Sequence, residues 1–331
     1  MKYNKIVLKS GKQVRASEPV ILSASRATDI PAYYTDWLLN SLKRGYVSRI
    51  NPFNGKKYYI SFEKARLIVF WSKNPEPIIN KLNKIEKMGY KYYFLYTLNN
   101  YPNSLEPNIP DLDKRINIFQ KLSEKIGKEK VIWRFDPLIL TDKIDLKNLI
   151  SRVENVADKL KNYTEKLVIS FADIEKYRKV KNNLKRADIK YKRFDKDKMI
   201  KFAKNIMILS KKCNINITTC AESIDLSKFG INHNKCIDDN LIEKVFHDDK
   251  FLMKFLYGRN FKNWDKSENK KKIKKRKLKD RGQRKECRCI ESKDIGRYNT
   301  CISLCSYCYA NSSTKKVMDN YNNHDQEAEY I

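Results

Sequence analysis

Short apolar runs alternate with amphipathic segments along most of the chain. Each run is nearly continuous in apolar character, which is typical of strands in a parallel sheet buried on both faces. The predicted strands comprise residues 20–24, 67–71, 92–97, 131–135, 167–171 and 215–219. This pattern predicts an α/β protein built around a parallel sheet.

The segments between these strands carry apolar residues at helical spacing. Ile78, Leu82 and Ile85 form one stripe, with Pro75 suited to a first helical turn and Gly89 to a helix stop. The same spacing recurs at residues 112–122, 146–156 and 199–209. Strands that alternate with helices imply parallel pairing through right-handed crossovers. We therefore predict a parallel (β/α) barrel or open barrel of about six units, with a doubly wound sheet as the alternative.

The alternation stops at residues 266–285, where twelve of twenty residues are Lys or Arg. Such a run of like charges is typical of an exposed linker or a basic helix. We predict a β/α barrel domain at residues 1–262, followed by a basic linker at 263–286. A cysteine-rich segment at residues 287–331 is expected to dock on the barrel.

The charge balance has two interpretations. The chain has 70 Lys and Arg residues against 39 Asp and Glu residues, a formal net charge of +31. This excess is either a footprint for nucleic acid or another polyanion, or a supply of solvated lysines on helix faces. No apolar stretch approaches the roughly 18 residues of a membrane span, and no signal segment is evident. We expect a cytoplasmic protein that does not contact the membrane.

Cysteine placement indicates metal chemistry. Five of the eight cysteines lie between residues 287 and 308, and cytosolic thiols stay reduced rather than forming disulfides. Cys301, Cys305 and Cys308 have the spacing C-x3-C-x2-C, so three thiolates can converge on one centre. A [4Fe–4S] cluster held by three thiolates keeps one iron open to another ligand. The alternative is a zinc site that uses Cys289 as its fourth ligand.

This triad, with an aromatic residue just before its last cysteine, resembles the cluster loop of the radical S-adenosylmethionine superfamily. The wider string at residues 296–310 is similar to the loop of the spore photoproduct lyase-like branch. The resemblance implies a [4Fe–4S] cluster whose open iron binds the amino and carboxylate groups of S-adenosylmethionine. It also implies that Tyr307 lies beside the adenine of that cofactor.

The whole chain resembles an uncharacterised bacterial family with radical-enzyme-like cysteines near the C-terminus. The stretches that carry this resemblance are residues 23–31, 69–75, 133–137 and the cysteine segment. In the superfamily the cluster loop follows the first barrel strand, so its late position here implies circular permutation. If residues 297–300 dock as a strand beside residues 20–24, the loop lies at the carboxyl rim, where parallel barrels place their chemistry.

Four further cysteines form a second candidate site. Cys220 ends the last predicted strand, Cys236 follows in a polar loop, and Cys287 and Cys289 form a C-x-C pair. We expect them to bind a second iron–sulfur cluster or a structural zinc, with ordinary buried cysteines as the alternative. Cys213 is predicted to be a core residue.

Polar residues just past the predicted strands are candidate site residues. Arg134 and Asp136 are predicted to be catalytic, because a strand end reading Trp-Arg-Phe-Asp-Pro is unusual for simple capping. Arg26 and Asp29 are predicted to bind the cofactor, although Asp29 also suits a helix N-cap. Further polar residues at strand ends are Lys73, Asn74, Asn99, Asp173 and Glu222.

These observations predict a radical S-adenosylmethionine enzyme that generates a 5′-deoxyadenosyl radical on an unknown substrate. Such an enzyme needs a reduced electron donor such as ferredoxin or flavodoxin. The alternative is a zinc-stabilised nucleic-acid-binding protein without catalysis, with residues 266–285 contacting phosphates. A third possibility combines the two, with nucleic acid as the substrate of the radical enzyme.

Overall fold

The computed structural model describes residues 2–51, 54–266 and 273–331. Residues 267–272 of the predicted basic linker lie outside the described residues. Within the described ranges, no helix combines the length and apolar character needed to span a bilayer.

Strands and helices alternate as the sequence pattern predicts, with additional short strands. The strands are β1 (Lys2–Val7), β2 (Gln13–Glu18), β3 (Ile21–Ala24), β4 (Tyr46–Ile50), β5 (Lys57–Ser61), β6 (Leu67–Ser72), β7 (Lys91–Thr97), β8 (Val131–Leu138), β9 (Leu140–Thr141), β10 (Lys166–Phe171), β11 (Tyr191–Lys192), β12 (Asn216–Thr219), β13 (Asn232–His233) and β14 (Lys293–Asp294). The helices are α1 (Ile30–Tyr33), α2 (Thr35–Arg44), α3 (Glu76–Ile79), α4 (Leu82–Lys87), α5 (Leu112–Ile126), α6 (Leu146–Leu160), α7 (Arg178–Arg186), α8 (Lys196–Cys213), α9 (Asp239–Phe246), α10 (Lys250–Tyr257), α11 (Phe261–Lys266) and α12 (Thr314–Asn322).

A parallel sheet of eight strands, counted over the described residues, forms the centre of the molecule. Its order is β13-β12-β10-β8-β7-β6-β3-β14, and every neighbouring pair is parallel. All six predicted strands are confirmed as members of this sheet. From β3 to β13 the order follows the chain without the reversal of a doubly wound sheet. No pairing between β13 and β14 is present in the described part of the chain, so a closed barrel is not observed.

Alternate residues along each strand divide the core between the two faces of the sheet. On the crossover face, residues such as Ile68, Phe94 and Trp133 pack against helices α1 to α8. On the second face, Val69 and Ile132 pack against helices α9 to α11. Two residues of the predicted basic linker, Trp264 and Leu278, are also buried against this second face.

A smaller sheet, which the hydrophobic pattern did not predict, lies before β6. Its order is β1-β2-β5-β4, with β1–β2 and β4–β5 antiparallel and β2–β5 parallel. The strands β2 and β5 are buried only towards their carboxyl ends. Half-exposed strands of this kind lack the continuous apolar runs that mark the central sheet.

The cysteine segment joins the central sheet through a strand that pairs parallel with β3, at a different position from the one predicted. The docking strand is β14, Lys293–Asp294, rather than residues 297–300. Asn299 has a positive φ of 59°, which is incompatible with extended backbone. The hydroxyl of Thr300 donates to the carbonyl of Arg297 (2.7 Å), so residues 297–300 form a turn.

Candidate metal centre

Strand β14 is fixed to the end of β3 by one carboxylate. Asp294 accepts hydrogen bonds from the Ser25 hydroxyl (2.7 Å) and from the backbone N–H groups of Arg26 (2.8 Å) and Gly296 (2.9 Å). Gly296 approaches β3 so closely that a Cβ atom on it would lie 2.5 Å from Ser25 Cβ. A glycine is therefore required where the chain leaves β14.

Residues 295–311, here called the cluster loop, follow β14 at the carboxyl edge of the sheet. The Tyr34 hydroxyl donates to the carbonyl of Thr300 (2.6 Å), which ties the loop to the end of α1. The Ser306 N–H donates to the carbonyl of Leu105 (3.0 Å), in the segment between β7 and α5. Leu304 has a positive φ of 51°, which turns the loop sharply between the first two triad cysteines.

The cluster loop carries the predicted triad of Cys301, Cys305 and Cys308. Cys305 is buried, whereas the other two are partly exposed. The N–H of Ala310 donates to Cys308 Sγ (3.3 Å), and Ser303 donates to the Cys301 thiol. Burial raises the pKa of all three thiols. Three cysteines on one short loop, with hydrogen-bond donors directed at the sulfurs of Cys301 and Cys308, fit the donor set of an iron–sulfur cluster.

Beneath the loop, the buried carboxylate of Glu106 accepts hydrogen bonds from several polar side chains. Its Oε1 accepts from Lys73 Nζ (2.7 Å), Asn99 Nδ2 (3.1 Å) and the hydroxyl of Tyr307. Its Oε2 accepts from Arg115 Nη1 (3.2 Å). We call these five residues the Glu106 network.

The Glu106 network contains opposite charges in a buried place. Burial raises the pKa of Glu106, but the adjacent cations Lys73 and Arg115 outweigh it and hold that pKa below its ordinary value. Burial and the nearby Glu106 raise the pKa of the Tyr307 hydroxyl. The network therefore fixes the direction of the Tyr307 side chain, which the resemblance to the radical superfamily implies to lie beside an adenine.

Arg134 and Asp136, the predicted catalytic pair, lie within β8. Arg134 donates to the Asp136 carboxylate, which also accepts from the hydroxyl of Ser170. Arg134 is buried, and its Nη1 lies 3.5 Å from Cys236 Sγ and its Nη2 4.0 Å from Cys220 Sγ. The pair therefore sits directly beside the second group of cysteines.

The two predicted cofactor-binding residues after β3 have different surroundings. The carboxylate of Asp29 caps α1 through the N–H of Ala32 (3.1 Å) and accepts from Ser72 Oγ and Lys73 N (2.7 Å each). Burial raises the pKa of Asp29 to about 6. Arg26 stacks over the ring of Trp71 at 4.8 Å. Asp29 thus holds the backbone at the strand ends, whereas the Arg26 guanidinium lies over Trp71 and within electrostatic range of Asp294.

The structure brings the four cysteines of the predicted second site together, and we call Cys220, Cys236, Cys287 and Cys289 the cysteine tetrad. Cys220 Sγ lies 3.5 Å from Cys236 Sγ. The Cys289 thiol contacts both Cys236 and Cys287. Over the described residues, no group of three or more His, Cys, Asp or Glu side chains is already arranged around one ion position. The tetrad thiols instead touch one another in a chain.

Two residues connect the triad with the tetrad. Tyr309, directly after Cys308, donates its hydroxyl to the carbonyl of Arg26 (2.8 Å). The Arg26 guanidinium lies within electrostatic range of Cys236 and Cys289. The two cysteine groups therefore flank a common region at the carboxyl edge of the sheet. Two open surface pockets lie elsewhere, at the start of the strands near residues 128 and 164.

A family model matches residues 21–310, from β3 to near the end of the cluster loop. It describes a domain of unknown function, DUF1848. The chain belongs to the DUF1848 family. Every residue of the triad, the tetrad and the Glu106 network lies inside the DUF1848 region, and the prediction of an uncharacterised family is confirmed.

Other comparisons add no function to this DUF1848 protein. No protein with a curated description matches it. Among solved structures, it is similar to a candidate alpha-L-fucosidase from Bacteroides thetaiotaomicron VPI-5482, with 12% identity. That match covers 49% of this chain and 66% of the other, less than two thirds of its length, with a TM-score of 0.25. A TM-score this low does not indicate a common fold.

Proposed function

We propose that this protein is a radical S-adenosylmethionine enzyme with its cluster-binding loop permuted to follow the last strand of the sheet. The observation that carries the proposal is the position of Cys301, Cys305 and Cys308. They lie on a loop that leaves β14 at the carboxyl edge of a parallel sheet, beside β3. In this proposal the sheet curves into an open barrel, and β14 acts as its first strand.

The triad thiolates would hold three irons of a [4Fe–4S] cluster, and the fourth iron would receive S-adenosylmethionine. When bound and reduced by a donor such as ferredoxin or flavodoxin, this group supplies a 5′-deoxyadenosyl radical that abstracts hydrogen. The radical superfamily resemblance of the C-x3-C-x2-C spacing supports this assignment, as do the hydrogen-bond donors directed at Cys301 and Cys308.

The surrounding residues would bind and orient the cofactor and the substrate. The Glu106 network fixes Tyr307, so its ring is held ready to pack against an adenine. Arg26 supplies a partly buried positive charge that suits the cofactor carboxylate. Arg134 and Asp136 present a buried ion pair, which can orient a polar substrate. Trp71 lies against Arg26 and helps to exclude water from this region.

Anaerobic reconstitution tests the proposal. The protein is loaded with iron and sulfide, reduced with dithionite and incubated with S-adenosylmethionine, and 5′-deoxyadenosine is measured by chromatography. We expect about four irons at the triad and 5′-deoxyadenosine above a no-protein blank. A variant with Ser at positions 301, 305 and 308 should lose both signals.

Cys213→Ser is the matched control, because Cys213 is a buried thiol on α8 outside both cysteine groups. This variant should keep the iron and the activity. Failure to form 5′-deoxyadenosine with an intact cluster would defeat the catalytic proposal. Zinc instead of iron at the triad would favour the nucleic-acid-binding alternative.

A further inference from the structure

The cysteine tetrad gathers four thiols from three separate parts of the chain. Cys220 follows β12, Cys236 follows β13, and Cys287 and Cys289 precede β14. All but Cys220 are buried, and all four belong to the apolar cluster on the second face of the sheet. Four cysteines that meet away from water form a complete ligand set for a soft metal.

Hydrogen-bond donors already surround the tetrad sulfurs. Cys289 Sγ accepts from the backbone N–H groups of Cys236 (3.2 Å) and Ile237 (3.3 Å). Cys236 Sγ accepts from Asn234 Nδ2 (3.3 Å) and Arg134 Nη1 (3.5 Å). Outer-shell donors of this kind orient thiolate ligands and stabilise their negative charge.

The spacing of the sulfurs distinguishes a site with two thiolates on one metal ion from a cubane cluster. A tetrahedral zinc with Zn–S bonds of about 2.3 Å holds neighbouring sulfurs about 3.8 Å apart. The Sγ atoms of Cys220 and Cys236 are 3.5 Å apart, close to that value. In a [4Fe–4S] cubane each thiolate binds a different iron, so the sulfurs lie much further apart. The 3.5 Å spacing therefore fits two thiolates on the same metal ion, as in a tetrathiolate zinc site, and does not fit a cubane.

We propose that Cys220, Cys236, Cys287 and Cys289 bind one Zn²⁺ as a tetrathiolate site. Small side-chain rotations would turn the observed chain of touching thiols into a tetrahedron around the ion. Zinc is preferred over ferrous iron because it binds such donors more tightly. This inference does not depend on the proposed function, since it concerns cysteines outside the triad.

Two arginines, the buried Arg134 and the partly buried Arg26, bring positive charge to such a site. Zn²⁺ with four thiolates carries two net negative charges, which need compensation away from water. Arg134 contacts two of the sulfurs, and Arg26 lies within electrostatic range of Cys236 and Cys289. Within the described ranges, Arg134 Nε and Arg26 Nη2 are buried without a hydrogen-bond partner. Each arginine thus keeps one nitrogen without a hydrogen-bond partner among the described residues, while Arg134 also pairs with the Asp136 carboxylate.

The zinc site would hold the segment that leads into the cluster loop. Cys289 lies only four residues before Lys293, the first residue of β14. Zinc would tie this segment to the ends of β12 and β13, across the sheet from β14. The ion therefore acts as a structural clamp that positions β14 and the loop after it.

Metal analysis of the anaerobically purified protein tests this inference. We expect about one zinc per chain, with an X-ray absorption spectrum that gives four sulfur ligands at about 2.3 Å. The double variant C287S/C289S should lose the zinc. The variant with Ser at positions 301, 305 and 308 should keep the zinc and lose the iron, and Cys213→Ser should keep both metals.

The outcomes separate this inference from the proposed function. Zinc at the tetrad without 5′-deoxyadenosine production would support the zinc site and reject the radical enzyme. No zinc, a Cys220–Cys236 disulfide, or about six or eight irons per chain, as a [2Fe–2S] or second [4Fe–4S] cluster at the tetrad would give, would overturn the zinc site. If C287S/C289S does not fold, the absorption spectrum of the unmodified protein decides, because nitrogen or oxygen ligands there would exclude a tetrathiolate.

Discussion

Glu106 is the residue on which most polar contacts beneath the cluster loop converge. It lies between β7 and α5, outside the strand ends where the sequence directs attention. The neighbouring residues, Leu-Glu-Pro, match no motif. Glu106 is surrounded only in the folded protein, where Lys73, Arg115 and Tyr307 from other parts of the chain bind its carboxylate. By contrast, the sequence predicts Arg134 and Asp136 as site residues because they interrupt a strongly apolar run.

Glu106→Gln should destabilise the protein strongly. The substitution keeps the side-chain shape but leaves the Lys73 and Arg115 cations without their shared carboxylate. Breaking a buried ion pair in this way costs about 3 kcal/mol or more. Urea unfolding under anaerobic conditions measures the loss. Glu124→Gln, an exposed position on the same helix as Arg115, should change stability by less than about 0.5 kcal/mol, and equal effects would contradict the prediction.

Asp29 should give the protein a characteristic pH dependence. Its pKa is about 6 in the folded protein against about 3.9 when unfolded. Between these values the folded state binds the extra proton, so the Asp29 contribution to stability falls as pH rises from 4 to 6. The total change is about 3 kcal/mol.

Comparison with Asp29→Asn isolates this contribution. The amide cannot titrate and loses one acceptor, so the variant should be less stable overall but less sensitive to pH. Unfolding free energies measured at steps between pH 4 and 7 give the two slopes. Parallel curves for both proteins would show that Asp29 does not titrate in this window.

Strand β14 illustrates what the hydrophobic pattern can and cannot specify in an element. Six strands of the central sheet were predicted because burial on both faces demands continuous apolar runs. Strand β14 consists of Lys293 and Asp294 and has no apolar residue. Its place in the sheet depends on the Asp294 hydrogen bonds and the close approach of Gly296. The sequence therefore predicted a docking strand beside β3 but located it a few residues too late.

Gly296→Ala should disrupt this docking. The added Cβ would lie 2.5 Å from Ser25 Cβ and 3.1 Å from Thr28 Cγ2, so β14 or the end of β3 must shift. We expect the variant to retain much less iron at the triad and to exchange the β3 amides faster in hydrogen-exchange experiments.

Gly282→Ala serves as its control. The nearest atom to a Cβ at Gly282 is a carboxylate oxygen of Asp280 at 3.3 Å, which belongs to an adaptable side chain. This variant should keep the iron content of the unmodified protein. Equal iron content in the two glycine variants would mean that close packing at Gly296 does not control the loop.

At the scale of the whole molecule, the net charge of +31 is the property that composition alone reveals. Charge of this size attracts polyanions at long range irrespective of sequence. The predicted fold class, a parallel α/β sheet, is confirmed, whereas its curvature and closure depend on packing that residue patterns do not encode. The second face of the central sheet is an example, because the packing of helices α9 to α11 against it was not evident from the residue pattern.

DNA binding should be weak and salt-dependent. We expect a labelled duplex of arbitrary sequence to bind at 50 mM salt and to lose at least about tenfold in affinity by 200 mM, because counterion release drives such binding. Fluorescence anisotropy measures this slope. Binding that persists at high salt or depends strongly on sequence would instead indicate a shaped nucleic-acid site.

The late position of β14 has a consequence for how the protein is made. During translation, the strands from β3 to β13 leave the ribosome before the residues of β14 are synthesised. Domains generally fold from the N-terminus during synthesis. The edge of β3 that later pairs with β14 therefore has unpaired backbone groups until β14 is made. In the proposed enzyme, the loop that carries the triad cysteines takes its place only after that edge is covered, so cluster loading would be a final maturation step that reports on a correctly folded sheet.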